Sequence, residues 1–276
     1  MNRRRFLKTL GVGTLGAVGL ASFVSAQDAH SFRTSRLELG LTGLKSPLKM
    51  VQLTDLHFGR FVFADWVRHW VDTADREGAD VIVITGDIVD RPIPGDELDT
   101  IAAELGRLEA RLGVFAVLGN HDYWYRTQDV SVHGLVKRLE RVGIRVLVNE
   151  STMVRTDLFL AGLDDLWNGS PDLARTLRRM PADAASVLLS HNPDILARVP
   201  SHVGLTLSGH THGGQVRVPG LRTLFSVSNY GERFQRGWVT GFQGARGYVS
   251  RGLGVGGLPF RTFCPAELVV LDLRPA

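Results

Sequence analysis

Five short apolar runs, each stopping abruptly at a polar residue, constrain this chain more than any other feature. They are "LKMVQLTD" (48–55), "ADVIVITGD" (79–87), "GVFAVLGN" (113–120), "ASVLLSH" (185–191) and "VGLTLSGH" (203–210). Runs this short, continuous and rich in β-branched residues suit strands buried on both faces. Helix-like stretches separate the first three, at 64–76 and 97–111, and another follows at 130–141. In the first of these, Trp66, Val67, Trp70 and Val71 form the stripe of an amphipathic helix. Beyond residue 216 the texture changes to "QVRVPG", "GWVTGF", "RGYVSRGLG" and "ELVVLDL", short strands punctuated by Gly and Pro. Strand–helix alternation followed by a β-rich end predicts an α/β sandwich whose sheets are covered by helices. No internal repeat, low-complexity tract or boundary interrupts residues 27–276, which read as a single domain.

The amino terminus reads differently. "NRRRFLK" (2–8) is followed by an apolar, glycine-rich run over 10–24 and by "VSA" (24–26), with no acidic residue before Asp28. A basic segment, an apolar segment and small residues at the cleavage positions make residues 1–26 a signal peptide. Arg3, Arg4, Arg5, Phe6, Leu7 and Lys8 resemble the twin-arginine export signal, with Asn2 where that pattern usually has Ser or Thr. An uncleaved anchor is the alternative, and the apolar run is shorter than the ~20 residues a spanning helix needs. The expected location is the periplasm, the cell wall or the outer face of the membrane, with the twin-arginine translocase as a partner during export.

Residues 1–26 hold four of the 32 basic residues and no acid, so the remainder carries 28 basic against 28 acidic residues. The net charge of +4 therefore belongs to the leader, and a nucleic-acid partner is not expected. Cys264 is the only cysteine. No internal disulfide can form, and the thiol is expected to pack as a small apolar group within "FCPAELVVL".

The polar residues that end the strands carry the chemistry, because the carboxyl rim of an open α/β sheet is where ligands bind. In order they are Asp55 and His57 in "LTDLHFG", Asp87 in "TGDIVD", Asn120, His121 and Asp122 in "LGNHDYW", His191 in "LLSHNPD", and His210 and His212 in "LSGHTHGG". Each motif alone also reads as a turn or as a hydrogen-bonded structural histidine. Together they place five of nine histidines at strand ends. Carboxylates, imidazoles and the Asn120 carbonyl suit a hard or borderline divalent cation, and the lack of thiolates excludes a cysteine-type zinc site. His210 and His212 would point the same way from an extended segment. Gly209, Gly213 and Gly214 would leave a phosphate room to approach.

The ordered set D-x-H, G-D-x-x-D, G-N-H-D, H and G-H-x-H resembles the calcineurin-like metallophosphoesterase superfamily over residues 48 to 215. The phrases "LSGHTHGGQVRVPG" and "SRGLGVGGLPFRTFCPAEL" further resemble its exported, YkuE-like phosphodiesterase subgroup. The resemblance implies a four-layer α-β-β-α sandwich, two packed mixed β-sheets flanked by helices. It also implies two divalent metal ions (Mn, Fe, Zn or Co). Asp55, His57 and His212 would hold one, Asn120, His191 and His210 the other, and Asp87 would bridge them with its two oxygens. His121 would act on the leaving oxygen and Asp122 would orient it. The implied function is binuclear-metal-dependent phosphoesterase activity on a phosphodiester or pyrophosphate bond, with an envelope or lipid-linked substrate. A nuclease of the same superfamily, or a scaffold that keeps the fold without turnover, are the alternatives.

Other residues are read from position alone. Arg251 in "VSRGLG" could bind a substrate phosphate through both guanidinium nitrogens. Asp90 reads as a supporting or capping acid, and Asp164 and Asp165 as loop-shaping. Tyr123, Trp124 and Tyr125 would line a substrate wall or pack as core. The apolar and basic stretch 220–238 could touch a membrane surface.

Overall fold

The computed structural model describes residues 31–124, 132–217 and 226–276. The segment expected to be a signal peptide, with its arginine motif, Tyr125, and residues 218–225, which include the start of the 220–238 stretch, lie outside the described residues.

Two six-stranded sheets pack face to face. The first has the order β1 (Phe32–Leu41), β12 (Ala266–Pro275), β2 (Leu48–Leu53), β3 (Val81–Thr85), β4 (Val114–Val117) and β5 (Ile144–Val146). The second runs β10 (Gly237–Thr240), β11 (Arg246–Val249), β9 (Leu205–Ser208), β8 (Ala185–Leu189), β7 (Leu158–Gly162) and β6 (Glu150–Arg155). β2 to β5 are mutually parallel, as are β11, β9, β8 and β7. β12 runs antiparallel to β2, and β10 and β6 close the second sheet as antiparallel edges. Both sheets are mixed, as expected.

The central strands β3, β4, β7 and β8 are almost wholly apolar because each buries both faces. In β3, Val81 and Val83 point between the sheets, whereas Ile82 and Ile84 point to the helices outside. The same alternation of two sends Phe115 and Val117 inward from β4 and Val114 and Ala116 outward. The inner layer is completed from the second sheet by Leu158, Leu160, Val187, Leu189, Leu205 and Leu207.

Helices α1 (Ala64–Arg76), α2 (Gly95–Leu105) and α3 (Val132–Arg141) cover the first sheet. α1 buries Val67, Trp70, Val71 and Ala74, the stripe read from sequence with Trp66 at its margin. The second sheet has a thinner cover. Helix α4 (Leu173–Leu177) and the 3-10 turns Pro193–Ala197 and Gly231–Phe234 lay Leu173, Leu177, Ile195, Leu196 and Phe234 against Phe159, Ala161 and Leu188. Among the described residues no helix is long and apolar enough to cross a membrane.

Candidate metal centre

The parallel strands of the two sheets deliver their carboxyl ends to one rim. Asp55 and His57 follow β2, Asp87 follows β3, Asn120 follows β4, His191 follows β8, and His210 and His212 follow β9. All seven are buried. Five sit at positive φ: Asp55 (53°), His57 (51°), Asp87 (50°), His210 (70°) and His212 (50°). L-residues avoid this left-handed region at a cost of order 1–3 kcal/mol each, and such strain persists where function needs the turn. Backbone bonds between the loops hold it, with Asp55 N–H donating to Gly86 O and His57 N–H to Asp87 O, both at 3.0 Å. His210 and His212 are therefore not on an extended segment as the sequence implied. They lie in a tight turn after β9, and the reversal sends one ring to each of two donor groups.

The first group is Asp55, His57 and His212, and the second is Asp87, His191 and His210. In each, the ligand atoms lie within 4.8 Å of one another. His57 Nε2 is 2.9 Å from His212 Nε2, and His191 Nε2 is 3.1 Å from His210 Nδ1. Asp87 joins the groups through a single oxygen, Oδ2 being 3.1 Å from His191 Nε2 and 3.5 Å from His57 Nε2. Its Oδ1 instead accepts the His121 backbone N–H at 2.9 Å. Oδ2 is thus the Asp87 oxygen that stands between the two donor groups. The Asn120 Oδ1 is buried without a hydrogen-bond partner. Convergent imidazole nitrogens, buried carboxylates and an orphaned carbonyl oxygen together fit a divalent cation, which would satisfy all of them at once.

The electrostatics agree. Burial opposes charge on both Asp87 and His191, and their attraction outweighs it: Asp87 is held well below the usual carboxylate range, and His191 is pushed up to about 10. Burial, with His191 close by, pushes His210 down to about 3. Burial and then His57 and Arg261 hold His212 well below the ordinary value. Burial opposes charge on His57 as well, but Asp90, Asp87 and Asp55 raise it above the ordinary value, so the acids favour protons on His191 and His57 while His210 and His212 stay neutral.

Neighbouring groups fix the rings. His191 Nδ1 donates to Thr85 O at 2.8 Å, so its Nε2 faces the centre. Asp90 Oδ1 is 3.2 Å from His57 Nδ1, giving this acid a positioning role. Glycines let the loops close up: a Cβ at Gly119 would lie 2.2 Å from Asp87 Oδ1, and one at Gly209 would lie 2.2 Å from Asp55 Oδ2. Gly209 therefore serves the packing of Asp55 rather than an approaching phosphate, and Gly213 packs against Arg251 and Cys264. The glycine over the His57–His212 pair is Gly256, whose Cβ would stand 3.1–3.2 Å from both Nε2 atoms.

His121 borders the centre, its ring 4.6 Å from that of His57 and 3.8 Å from that of Trp124. Its Nδ1 is 2.6 Å from the Asp90 carbonyl, which orients the ring and leaves Nε2 toward other partners. Asp122 does not orient His121, contrary to the sequence reading. Its Oδ1 accepts the Ile88 and Val89 N–H groups and its Oδ2 that of Gly119, so it ties together the loops after β3 and β4. Burial, then repulsion from Asp87, pushes it up to about 7.

Arg251 is likewise corrected. Its Nη2 lies 2.7 Å from Glu267 Oε2, and its N–H donates to Glu267 Oε1, so the guanidinium is committed to a buried carboxylate rather than to a substrate. Asp164 and Asp165 shape a loop as expected, accepting the N–H groups of Asp165, Ser170, Trp167 and Asn168. Asp164 also receives the Tyr123 hydroxyl, and Asn168 Nδ2 bonds the Asn120 carbonyl at 3.0 Å. Trp124 is exposed.

Sequence reasoning missed Arg261. It is fully buried and donates to the carbonyls of Arg251, Gly252, Gly254, His212 and Cys264. It thereby cinches the loop at 251–264 around His212, and burial pushes it down to about 10. The one available signal was a lone arginine within "LPFRTFCP". Cys264 is buried beside it as expected.

The chain matches the family model described as calcineurin-like phosphoesterase over residues 48–214. It is 31% identical to the uncharacterized metallophosphoesterase YkuE of Bacillus subtilis strain 168, over 99% of this chain and 98% of that protein. An uncharacterized metallophosphoesterase of Aquifex aeolicus strain VF5 is also 31% identical, over 94% and 96%. Phosphodiesterase YaeI of Escherichia coli K12 is 31% identical, over 83% of each chain.

Proposed function

Because this chain belongs to the calcineurin-like phosphoesterase family and is a metal-dependent phosphoric ester hydrolase, we propose that it is a binuclear enzyme acting on phosphodiester or pyrophosphate bonds. The observation that carries this reading is Asp87 Oδ2, which stands between two convergent donor groups. Asp55, His57 and His212 would hold one cation, Asn120, His191 and His210 the second, and Asp87 both. Two divalent cations supply charge to clamp phosphoryl oxygens and lower the pKa of a water toward ~7.

The chain's own residues do the rest. The Asp90 carbonyl fixes His121 Nδ1, so the other ring nitrogen hydrogen-bonds or protonates the leaving oxygen. Asp90 and Thr85 hold His57 and His191 in register. Burial of the donors keeps bulk water from competing for them.

The arginine motif, apolar run and "VSA" support export by the twin-arginine route, with residues 27–276 as one catalytic domain. Folding before export would load cytoplasmic Mn or Fe into a donor set that also accepts Zn or Co. An envelope or lipid-linked phosphodiester then fits the location. The exposed Tyr230, Trp238 and Phe242, with Arg233 stacked 4.2 Å over the Phe242 ring, support contact with a membrane surface.

Hydrolysis of bis(p-nitrophenyl) phosphate by chelator-treated protein, before and after adding Mn²⁺, tests the enzymatic reading. Restored turnover supports it, whereas metal binding without turnover on any ester favours a scaffold. Replacing Arg3 and Arg4 by Lys should trap the chain in the cytoplasm, and unchanged localisation would remove the export reading.

A further inference from the structure

We propose that Trp167 sets the substrate preference: its indole, beside His210, receives an apolar or aromatic group on the ester oxygen that phosphorus retains, so that the preferred substrate is a phosphodiester. The proposal rests on the hydrolase reading above. The Trp167 ring stands 4.3 Å from the His210 ring and nearly perpendicular to it, at 87°. It is nevertheless 48% exposed, although His210 is buried. Part of the indole therefore closes over a metal donor, and the rest faces solvent at the lip of the centre.

The loop gives Trp167 little freedom of position. Buried Asp165 accepts the N–H groups of Trp167 and Asn168 on its Oδ2, at 2.9 and 2.7 Å. Asp164 Oδ2 accepts that of Ser170 at 2.7 Å. A Cβ at Gly169 would lie 2.5 Å from Asp164 Cγ, so the turn closes only around a glycine. Asn168 Nδ2 then fastens the loop to the carbonyl of Asn120, the residue whose Oδ1 is orphaned in the centre. Two carboxylates and an amide thus commit their bonds to presenting one exposed indole. His210 does not need that indole for support. Its backbone N–H donates to Asp55 Oδ1 at 2.8 Å, and its Nδ1 lies 3.1 Å from His191 Nε2. A large, rigid aromatic face held in place by its own loop is suited to binding, because little side-chain entropy is lost when a ligand covers it.

Trp124 indicates which substituent Trp167 meets. Its ring is 3.8 Å from that of His121, which neighbours His57 of the first donor group. His121 acts on the leaving oxygen, so Trp124 borders the leaving side. Trp167 borders the second donor group, through His210. In the hydrolysis a water oxygen bonds to phosphorus, and the bond from phosphorus to the leaving oxygen breaks. The leaving oxygen takes the electron pair and one water proton; the other proton stays on the product or passes to solvent. The second ester oxygen remains on phosphorus throughout. A monoester carries no group on that oxygen, so a diester is needed to fill the place beside Trp167.

The test uses the metal-loaded full chain and two esters with the same leaving group and the same charge. Bis(p-nitrophenyl) phosphate retains an aryl group, and methyl p-nitrophenyl phosphate retains a methyl group. Trp167→Ala should lower kcat/KM for the aryl ester relative to the methyl ester about threefold to tenfold, chiefly through KM. Trp167→Phe should keep most of the wild-type ratio. An unchanged ratio in Trp167→Ala, or equal losses on both esters, would overturn the proposal. So would loss of bound metal in both variants, which would make the indole a support for His210. Calorimetric titration with methyl phenylphosphonate and methyl methylphosphonate reads binding without turnover, since the carbon–phosphorus bond keeps the test group in place. The wild type should bind the phenyl compound more tightly, and Trp167→Ala should lose that preference. Equal affinities in the wild type would contradict the assignment. Absence of turnover by the wild type on both esters would count against the hydrolase reading, while the phosphonate comparison would still decide the role of Trp167.

Discussion

At the scale of single residues, the centre depends on which nitrogen of each histidine is bare. His191 keeps its proton up to about 10 when no cation is present, because Asp87 outweighs the cost of burying the charge. Its Nε2 must be bare to bind metal, so binding should release a proton. Below that pKa, each unit of falling pH reduces the competent form about tenfold, so metal affinity should rise with pH between 6 and 8. Calorimetry in two buffers of different ionisation heat measures the proton count, and zero release would contradict this picture. His121 is a different kind of residue: it converges with His57 and Asp90 as a third possible donor group, but lies outside the two groups that Asp87 joins. His121→Ala should lower turnover by roughly 10²-fold or more while the metal content stays at the wild-type level. Near-normal turnover in that variant would remove the leaving-oxygen role.

At the scale of elements, the loops matter more than the strands that launch them. Asp122 binds three backbone N–H groups across two loops, and Asp122→Ala leaves all three without a partner. A loss of about 3 kcal/mol or more in unfolding free energy is expected, since each orphaned buried donor costs ~1–3 kcal/mol. A kinetic defect with unchanged stability would instead restore the orienting role inferred from sequence. Strands β2, β3, β4, β8 and β9 were legible because burial on both faces demands continuous apolar runs, and the donors were legible because they end those runs. Strands β1, β5 and β6, with exposed or half-exposed polar positions, were not. Helix α1 was legible to its last residue, since Val67, Trp70 and Val71 repeat at the helical period. The left-handed backbone at Asp55, His57, Asp87, His210 and His212 was not, because Asp and His merely tolerate positive φ better than most side chains, and the packing of the loops decides where they adopt it. The partners of Asp122, Arg251 and Arg261 were equally hidden. Each bonds groups whose proximity is decided by sheet packing rather than by spacing along the chain.

At the scale of the whole molecule, the rim exists only because two sheets are clamped in one register. Glu267 on β12 contributes to that clamp, accepting from Ser35 of β1 and Tyr248 of β11 as well as from Arg251. Arg251→Ala would leave this buried carboxylate short of its cation. The expected cost is about 2–3 kcal/mol, below the range for fully buried pairs because the Arg251 side chain is 22% exposed. Denaturant unfolding measures it, and KM for a phosphodiester should stay within about twofold, as the guanidinium is spoken for by Glu267. The central claim is that both sheets together build a two-cation centre around Asp87. Its most direct measurement is a titration of chelator-stripped protein with Mn²⁺, following bound metal and bis(p-nitrophenyl) phosphate hydrolysis in the same samples. We expect activity to reach its plateau at about two bound ions per chain, as a shared-carboxylate centre requires. A plateau at one bound ion, or hydrolysis that does not depend on metal, would contradict it.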